Sequence, residues 1–445
     1  MAPLLIGFFI GNDLIGNHES DINCKIPHFF YRGEAALSNE ILIAPCHFGM
    51  EAVLKREITD LGYEIDEVDN GKVTFIGDEN AIARANINLR TTERILWRIG
   101  RFHAETFEEL FQAVKAIAWD FYIPFDGRFW VAKANSVNSK LFSPRDIQRI
   151  VKKAIVEELK EHYPGIEIFP ETGADYPIRI SILKNEVTIC LDTTGESLHK
   201  RGYRKFTAPA PLTETLAAAI LLLSPWKADR VLVDPFCGSG TIPIEAALIA
   251  RRMAPGLHRS FLSEAWADPR EDSESKAIQN GLSMLLSHCM ATRRSFAQAR
   301  EDAEQAVIRE PMELSIAGYD IDDEVLRMAR ENARLAGVDG DIHFQRRDIA
   351  DFSSPKKYGF VITNPPYGER LNSDEEKKVR SLYRTIGEKI SADDTWSWFV
   401  LSGYEETENA IRKKATKNRK IYNGMLKTYL YQYMGVKPPK RPKQA

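Results

Sequence analysis

Val231-Leu-Val-Asp-Pro-Phe-Cys-Gly-Ser-Gly-Thr-Ile-Pro-Ile-Glu-Ala-Ala-Leu-Ile-Ala250 is the stretch on which the fold turns. Val231, Leu232 and Val233 form a short apolar β run, Gly238 and Gly240 permit a tight turn, and Ile242 to Ala250 follow with helical spacing. The reading is strand, glycine loop, helix. Its counterpart is Val361-Ile-Thr-Asn-Pro-Pro-Tyr-Gly368, where the buried run Phe360, Val361, Ile362 is stopped by Asn364 and two prolines that cannot continue a central ladder. Both motifs therefore end strands. In an open parallel sheet, ligands bind beyond the carboxyl ends of the strands, where strand order reverses. The two motifs are expected to face one crevice.

Working outward, the strand Leu314–Tyr319, the acidic end Asp320-Ile-Asp322, the helix Glu324–Ala336, the strand Ile342–Gln345 and Asp348 alternate regularly up to the second motif. Beyond it, Val379–Ile390 reads as helix and Thr395–Ser402 as strand. Such alternation implies an α/β domain with a parallel sheet. Residues 255 to 311 are longer than a minimal connection, and 268–298 read as an insertion. After Glu408 the tail is rich in Lys and Arg, including Arg412, Lys413, Lys414, Lys417, Arg419 and Lys420. Upstream, Ala208-Pro-Ala-Pro-Leu212 marks a boundary, since its prolines forbid regular structure before a helix over Thr213–Leu223.

The first half reads as α+β. Strands at Ile41–Ala44, Glu64–Val68 and Lys72–Ile76, the last two joined by Asn70-Gly71, surround a helix over Phe48–Leu61. Arg90, Arg94, Arg98 and Arg101 fall at helical spacing around Trp97, either as a phosphate-tracking face or as a solvated one. A helix over Phe107–Phe121, a strand over Arg128–Ala134, a helix opened by Ser143-Pro144 and paired runs at Tyr176–Leu183 and Glu186–Leu191 follow. The half ends in Leu198-His-Lys-Arg-Gly-Tyr-Arg-Lys-Phe206, where Lys200, Arg201, Arg204 and Lys205 offer charge to phosphates and Tyr203 offers a ring to bases.

With 445 residues, 44% of them hydrophobic, the chain has material for two or three domains. A net charge of −3 argues against a uniformly basic nucleic-acid coat and leaves room for a local basic face. The five cysteines are scattered and form no C-x-x-C pair, which disfavours a disulfide framework or a zinc site and suits a reducing cytoplasm. The apolar run at the amino end is too short to span a bilayer. No metal and no membrane are expected.

The glycine loop departs from the dinucleotide pattern G-x-G-x-x-G at Pro243 and lacks the Gly-Lys-Ser/Thr of a phosphate-binding loop. What remains is backbone that a ligand can approach closely, with Asp234 before it, Asp320 at the next strand end to suit ribose hydroxyls, and Asp348 to accept from an adenine amino group. These describe a nucleoside-containing cofactor that needs no phosphates, and S-adenosylmethionine fits. Asn364 and a main-chain carbonyl held by Pro365 and Pro366 are placed to accept both hydrogens of an exocyclic base amine, with Tyr367 stacking on an extruded base.

Asp234-Pro-Phe-Cys-Gly-Ser-Gly-Thr241 together with Asn364-Pro-Pro-Tyr367 resembles the S-adenosylmethionine-dependent amino-methyltransferases. The upstream half resembles a THUMP RNA-binding domain with its preceding ferredoxin-like segment, and the whole is similar to bacterial large-subunit rRNA guanine-N2 methyltransferases. The resemblance implies a ferredoxin-like segment over 40–100, a THUMP domain over 101–205, a Rossmann-like class I methyltransferase domain over 206–435 and a basic tail over 436–445, after an extension over 1–39. It implies cofactor binding by Asp234, Pro235, Phe236, Cys237, Gly238, Ser239, Gly240, Thr241, Asp320, Ile321 and Asp348, and base binding by Asn364 to Tyr367. The expected partner is ribosomal RNA or a pre-ribosomal particle, with no obligate protein partner. Adenine-N6 methylation and an inactive assembly factor are the rival readings.

Overall fold

The computed structural model describes residues 40–205, 212–266, 293–367, 373–424 and 426–439. The extension before residue 40, most of the proline-rich joint, most of the insertion and the last residues of the basic tail lie outside the described residues.

The first half comprises β1 (Glu40–Pro45), α1 (Glu51–Asp60), β2 (Glu64–Asp69), β3 (Lys72–Gly77), α2 (Ala81–Asn88), β4 (Leu96–His103), α3 (Phe107–Lys115), α4 (Trp119–Tyr122), β5 (Arg128–Val137), α5 (Pro144–His162), β6 (Asp175–Leu183) and β7 (Glu186–Asp192). Local chemistry sets several boundaries. Thr106 and Glu109 close a capping box on α3, Ser143 caps α5, and Gly62 ends α1 at φ 93°. All seven strands join one sheet in the order β2-β3-β1-β4-β7-β6-β5. β4 pairs with β1 at Leu42↔Trp97 and with β7 from Leu96↔Asp192 to His103↔Glu186, so a boundary drawn at residue 100 falls inside a strand shared by both segments.

This pairing corrects one expectation. Arg90 and Arg94 lie before β4, and Arg98 and Arg101 lie along it, so no helix carries them. Successive strand residues alternate faces, and the guanidinium of Arg94 is spent on Asp192 at 2.8 Å while Arg101 pairs with Glu67 at 3.3 Å. Trp97 between them is buried in the core. The intervals of three and four were a chance match to helical period, overridden by pairing with β7.

The second half comprises α6 (Glu214–Leu223), β8 (Leu232–Asp234), α7 (Thr241–Ala250), α8 (Arg293–Gln305), β9 (Ile316–Asp320), α9 (Asp323–Leu335), β10 (Ile342–Arg346), β11 (Phe360–Thr363), α10 (Ser373–Ala392), β12 (Ser397–Ser402), α11 (Thr407–Ile411), β13 (Lys417–Asn423) and β14 (Leu426–Tyr433). The sheet order is β10-β9-β8-β11-β12-β14-β13. β10 to β12 run parallel, and β14 and β13 are antiparallel additions. Leu216, Ile244, Leu326 and Ala333 from α6, α7 and α9 pack with Leu232 and Ile362 on one face, and Tyr383, Ile386 and Ile390 from α10 pack with Val361 and Val400 on the other. A parallel sheet covered on both faces needs continuous apolar strands, which β11 and β12 supply. Met50 and Val53 of the first half enter the α6–α7 side of this core.

Candidate active site

β8 and β11 are parallel neighbours, with Phe360↔Leu232 and Val361↔Val233 in register. From β8 the chain passes to β9 on one side, whereas β11 lies on the other, so strand order reverses at this joint. Beyond it the two sequence motifs meet. Thr363 Oγ1 donates to Asp234 Oδ1 at 2.6 Å, tying the end of one motif strand to the end of the other.

Gly240 precedes α7 at φ 88°, and a Cβ there would stand 3.1 Å from Ala329 and 3.2 Å from Phe344, so backbone conformation and packing both require glycine. Gly238, at φ 52°, has nothing within 4 Å of an added Cβ, which leaves that side of the loop open. The loop is held from behind. Gly238 N–H donates to Asp320 Oδ2 at 3.0 Å, Asp322 N–H donates to Asp320 Oδ1 at 3.1 Å, and Asn332 Nδ2 donates to the Ser239 carbonyl at 3.1 Å. Pro235, Cys237, Ser239 and Thr241 are buried. Burial pushes the Cys237 thiol well up, with the Asp234 and Asp320 charges adding to it, so this sulfur stays a thiol.

Asp320 ends β9 half-buried, and the next residue, Ile321, is 63% exposed. An apolar side chain left in water beside a bracing carboxylate offers a flat ligand ring a surface to cover. Asp348 is exposed and uses Oδ1 to accept from Ala350 N–H at 2.8 Å.

The second corner follows β11 directly. Pro365 is buried, Pro366 is exposed, and Asn364 and Tyr367 are half-buried. The Asn364 Oδ1 atom is itself buried and has no hydrogen-bond partner among the described residues. An unpaired buried acceptor costs about 1–3 kcal/mol and calls for an explanation in a native fold. Tyr367 lies against Gly403, where a Cβ would come within 3.1 Å of the ring.

The Asp234 carboxyl is pushed up to about 7, chiefly by burial and secondarily by the Asp320 charge, against the lowering effect of its bonds from Thr363 and the Phe236 N–H. A folded pKa above the unfolded value means that the stabilisation is complete in acid, below about 4, and is lost as pH rises through 7. Thermal midpoints of the ligand-free protein compared with Asp234→Asn should therefore converge at low pH and favour the variant above pH 7. Glu214 and Glu158, also pushed up to about 7, cancel in this comparison.

The basic run corrects a second expectation. Arg201, Tyr203 and Arg204 do not offer themselves to RNA. The Arg201 side chain is 2% exposed, donates to the carbonyls of Leu198 and Arg90 and pairs with Glu245 on α7. Tyr203 OH donates to Glu245 Oε1 at 3.1 Å, and Arg204 bridges Glu214 at 2.9 Å and the Leu212 carbonyl. Where the two halves meet, these side chains fill a buried polar seam. Lys200 and Lys205 remain exposed.

Sequence reasoning passed over Thr363 and Asn332. Asn332 is fully buried on the face of α9 that carries Leu326, Ala329 and Ala333. A polar residue in an apolar helical stripe was the available signal.

A sheet with its order reversal flanked by a glycine loop and an Asn-Pro-Pro-Tyr corner defines a class I methyltransferase domain, here appended to an α+β module. Comparison with known proteins agrees. Residues 201–432 match the "RMKL-like, methyltransferase domain", 41–96 the "RlmL ferredoxin-like domain" and 104–192 the "THUMP domain". The chain belongs to this family of THUMP-domain-containing, S-adenosylmethionine-dependent RNA methyltransferases. It is 45% identical over 403 residues to "Putative RNA methyltransferase YpsC" of Bacillus subtilis, covering 90% of this chain and 98% of that protein. It is 35% identical over 399 residues to "Ribosomal RNA large subunit methyltransferase K/L" of Syntrophotalea carbinolica, covering 86% of this chain and 52% of that protein, so it spans about half the relative's length. The solved structure of "SMU.472, a putative methyltransferase complexed with SAH" superposes with a TM-score of 0.79 at 40% identity, covering 90% of this chain and 99% of that one. No helix among the described residues is long and apolar enough to cross a membrane.

Proposed function

We propose that the protein methylates the exocyclic N2 amine of a guanine in large-subunit ribosomal RNA. The observation that carries the reading is the buried Asn364 Oδ1, unpartnered among the described residues, beside the Thr363–Asp234 contact. An exocyclic amine is a weak nucleophile because its lone pair is delocalised into the base. Asn364 Oδ1 accepts one amine hydrogen and the Pro365 carbonyl accepts the other, which turns the lone pair out of conjugation and toward the glycine loop. The fixed φ of Pro365 and Pro366 holds that carbonyl in place. Tyr367 stacks on the extruded base, and its seat against Gly403 fixes the ring plane.

S-adenosylmethionine supplies an electrophilic methyl when bound, and the residues present fit it. In this reading the cofactor enters on the open side of Gly238, Asp320 takes the ribose hydroxyls, Ile321 covers the base face and Asp348 accepts from the adenine amine; the space beside Gly238 and the exposure of Ile321 and Asp348 support it. That a homologous structure is complexed with SAH supports the choice of cofactor. Asp234, once ionised, favours a cation bound at the glycine loop that follows it, so cofactor affinity should rise with pH from 5 to 8. Calorimetric titration of wild type and Asp234→Asn checks this, the variant losing the dependence.

The K/L relative supports ribosomal RNA as the substrate, and the THUMP segment supports RNA over DNA. Purified protein incubated with methyl-labelled cofactor and large-subunit rRNA, followed by digestion to nucleosides, should place the label in N2-methylguanosine. Label in N6-methyladenosine would defeat the guanine assignment, and no label at all would favour an assembly factor.

A further inference from the structure

We infer that the β13–β14 hairpin is a clamp for the RNA backbone next to the extruded nucleotide, an inference that rests on the RNA reading above. Strand register carries the active-site corner across to the hairpin. Thr363 is level with Val400 on β12, and Ser402 on β12 is level with Tyr429 on β14, so the hairpin tip lies at the sheet end that bears Asn364. A Cβ at Gly403 would touch both Tyr367, at 3.1 Å, and Leu426 of the hairpin, at 3.6 Å.

Cross-strand pairing sets Lys420 opposite Tyr429 and Tyr422 opposite Lys427, which puts two cations and two rings on one face in a diagonal pattern. The Lys420 and Lys427 ammonium groups lie 4.9 and 5.4 Å from the ring centroids of Tyr422 and Tyr429. Arg412, Lys413, Lys414 and Lys417 lead into the hairpin, exposed like these two lysines, and among the described residues none of the six is in an ion pair. Some surface cations elsewhere on this domain do come with acids, as Arg327 with Glu324 and Arg334 with Glu331. Lysines do blunt sheet edges. That accounts for Lys417 and Lys420 on the outer strand and not for Lys427 on the inner one, nor for rings interleaved with charge. Alternating cations and tyrosines are what a single strand of RNA takes, phosphates to the first and bases to the second.

The clamp is also braced. The Tyr422 carbonyl lies 3.1 Å from His47 Nδ1, the Phe48 ring meets Tyr422 edge-on at 6.1 Å, and Arg419 donates to the Gly49 carbonyl. The loop before α1 thus fixes the hairpin against the first half.

The test uses the full-length chain carrying Lys420→Gln and Lys427→Gln, titrated with a mixed-sequence single-stranded RNA over a salt series. Two lost phosphate contacts predict a salt slope smaller by about 1.4 and affinity at low salt weaker by about tenfold. Thermal midpoint and S-adenosylhomocysteine affinity should be unchanged, and Arg327→Gln with Arg334→Gln should leave the slope as in wild type. An unchanged slope and affinity, or an equal effect in the control pair, overturns the clamp. Failure of the wild type to methylate RNA, with the slope effect intact, overturns the functional reading alone.

Discussion

Asn364→Ala is expected to lower the rate of methyl transfer by about a thousandfold, in the range seen when a single group that orients or stabilises the reacting centre is removed. The substitution deletes the one buried side-chain acceptor at the corner that is unpartnered among the described residues, so the folded protein loses nothing that the side chain was already bonding. Stability should hold or rise, because an unmatched buried acceptor is a cost in the free protein. Cofactor affinity should stay within about twofold, since the loop from Asp234 to Thr241 is held by Asp320, Thr363 and Asn332 rather than by Asn364. Single-turnover kinetics with calorimetry of S-adenosylhomocysteine binding separates the effects. Equal losses in turnover and cofactor affinity would show Asn364 to be a structural support, and turnover within twofold of wild type would remove it from the reaction.

The corner could be read in the sequence because proline and glycine act locally. Pro365 and Pro366 end a strand wherever they follow one, and Gly240 has a φ open to few other residues, so both motifs could be placed at strand ends before any tertiary contact was known. The strands β8, β9 and β11 were legible for a related reason, each being a short apolar run bounded by acids or turn residues, and β10 by the alternation of Ile342 and Phe344 with polar residues. The fate of charged residues was not legible. Arg201 and Lys200 are neighbours in one basic run, yet one is buried and the other exposed. The difference is made by Glu245, 44 residues away on α7, which no local pattern announces. The β13–β14 hairpin escaped for the complementary reason. Its buried positions include Ile421, Thr428 and Leu430, set among Lys, Arg and Tyr, so the stretch read as a run rich in Lys and Arg and its strand pair went unnoticed.

The buried seam supplies the largest expected effect on stability. Arg201→Ala should destabilise the folded protein by about 3–5 kcal/mol, the usual consequence of stranding one partner of a buried pair. Three features place it there rather than among surface pairs. The Arg201 and Glu245 side chains are 2% and 0% exposed. Glu245 Oε2 has no partner among the described residues and Oε1 already serves Tyr203, so the loss of Arg201 leaves a carboxylate with one neutral donor. Arg90 adds to the seam, its guanidinium held below its ordinary range by burial and by the Arg201 charge, with Glu245 and Glu57 opposing the shift. Removing charge from both sides should be milder. Arg201→Met combined with Glu245→Leu removes both members of the pair and leaves Arg90 with Glu57 as its counter-charge, but Tyr203 OH loses its acceptor, so the double variant should recover part of the loss. Urea unfolding of the three proteins gives the comparison, and a single variant within 1 kcal/mol of wild type would mean that water reaches the seam. Glu245 lies in the second turn of α7, the helix that starts at the glycine loop, so the same bond that fastens the first half also steadies that loop. Arg201→Ala should accordingly weaken S-adenosylhomocysteine binding as well, whereas the apolar double variant, with its helix repacked, should not.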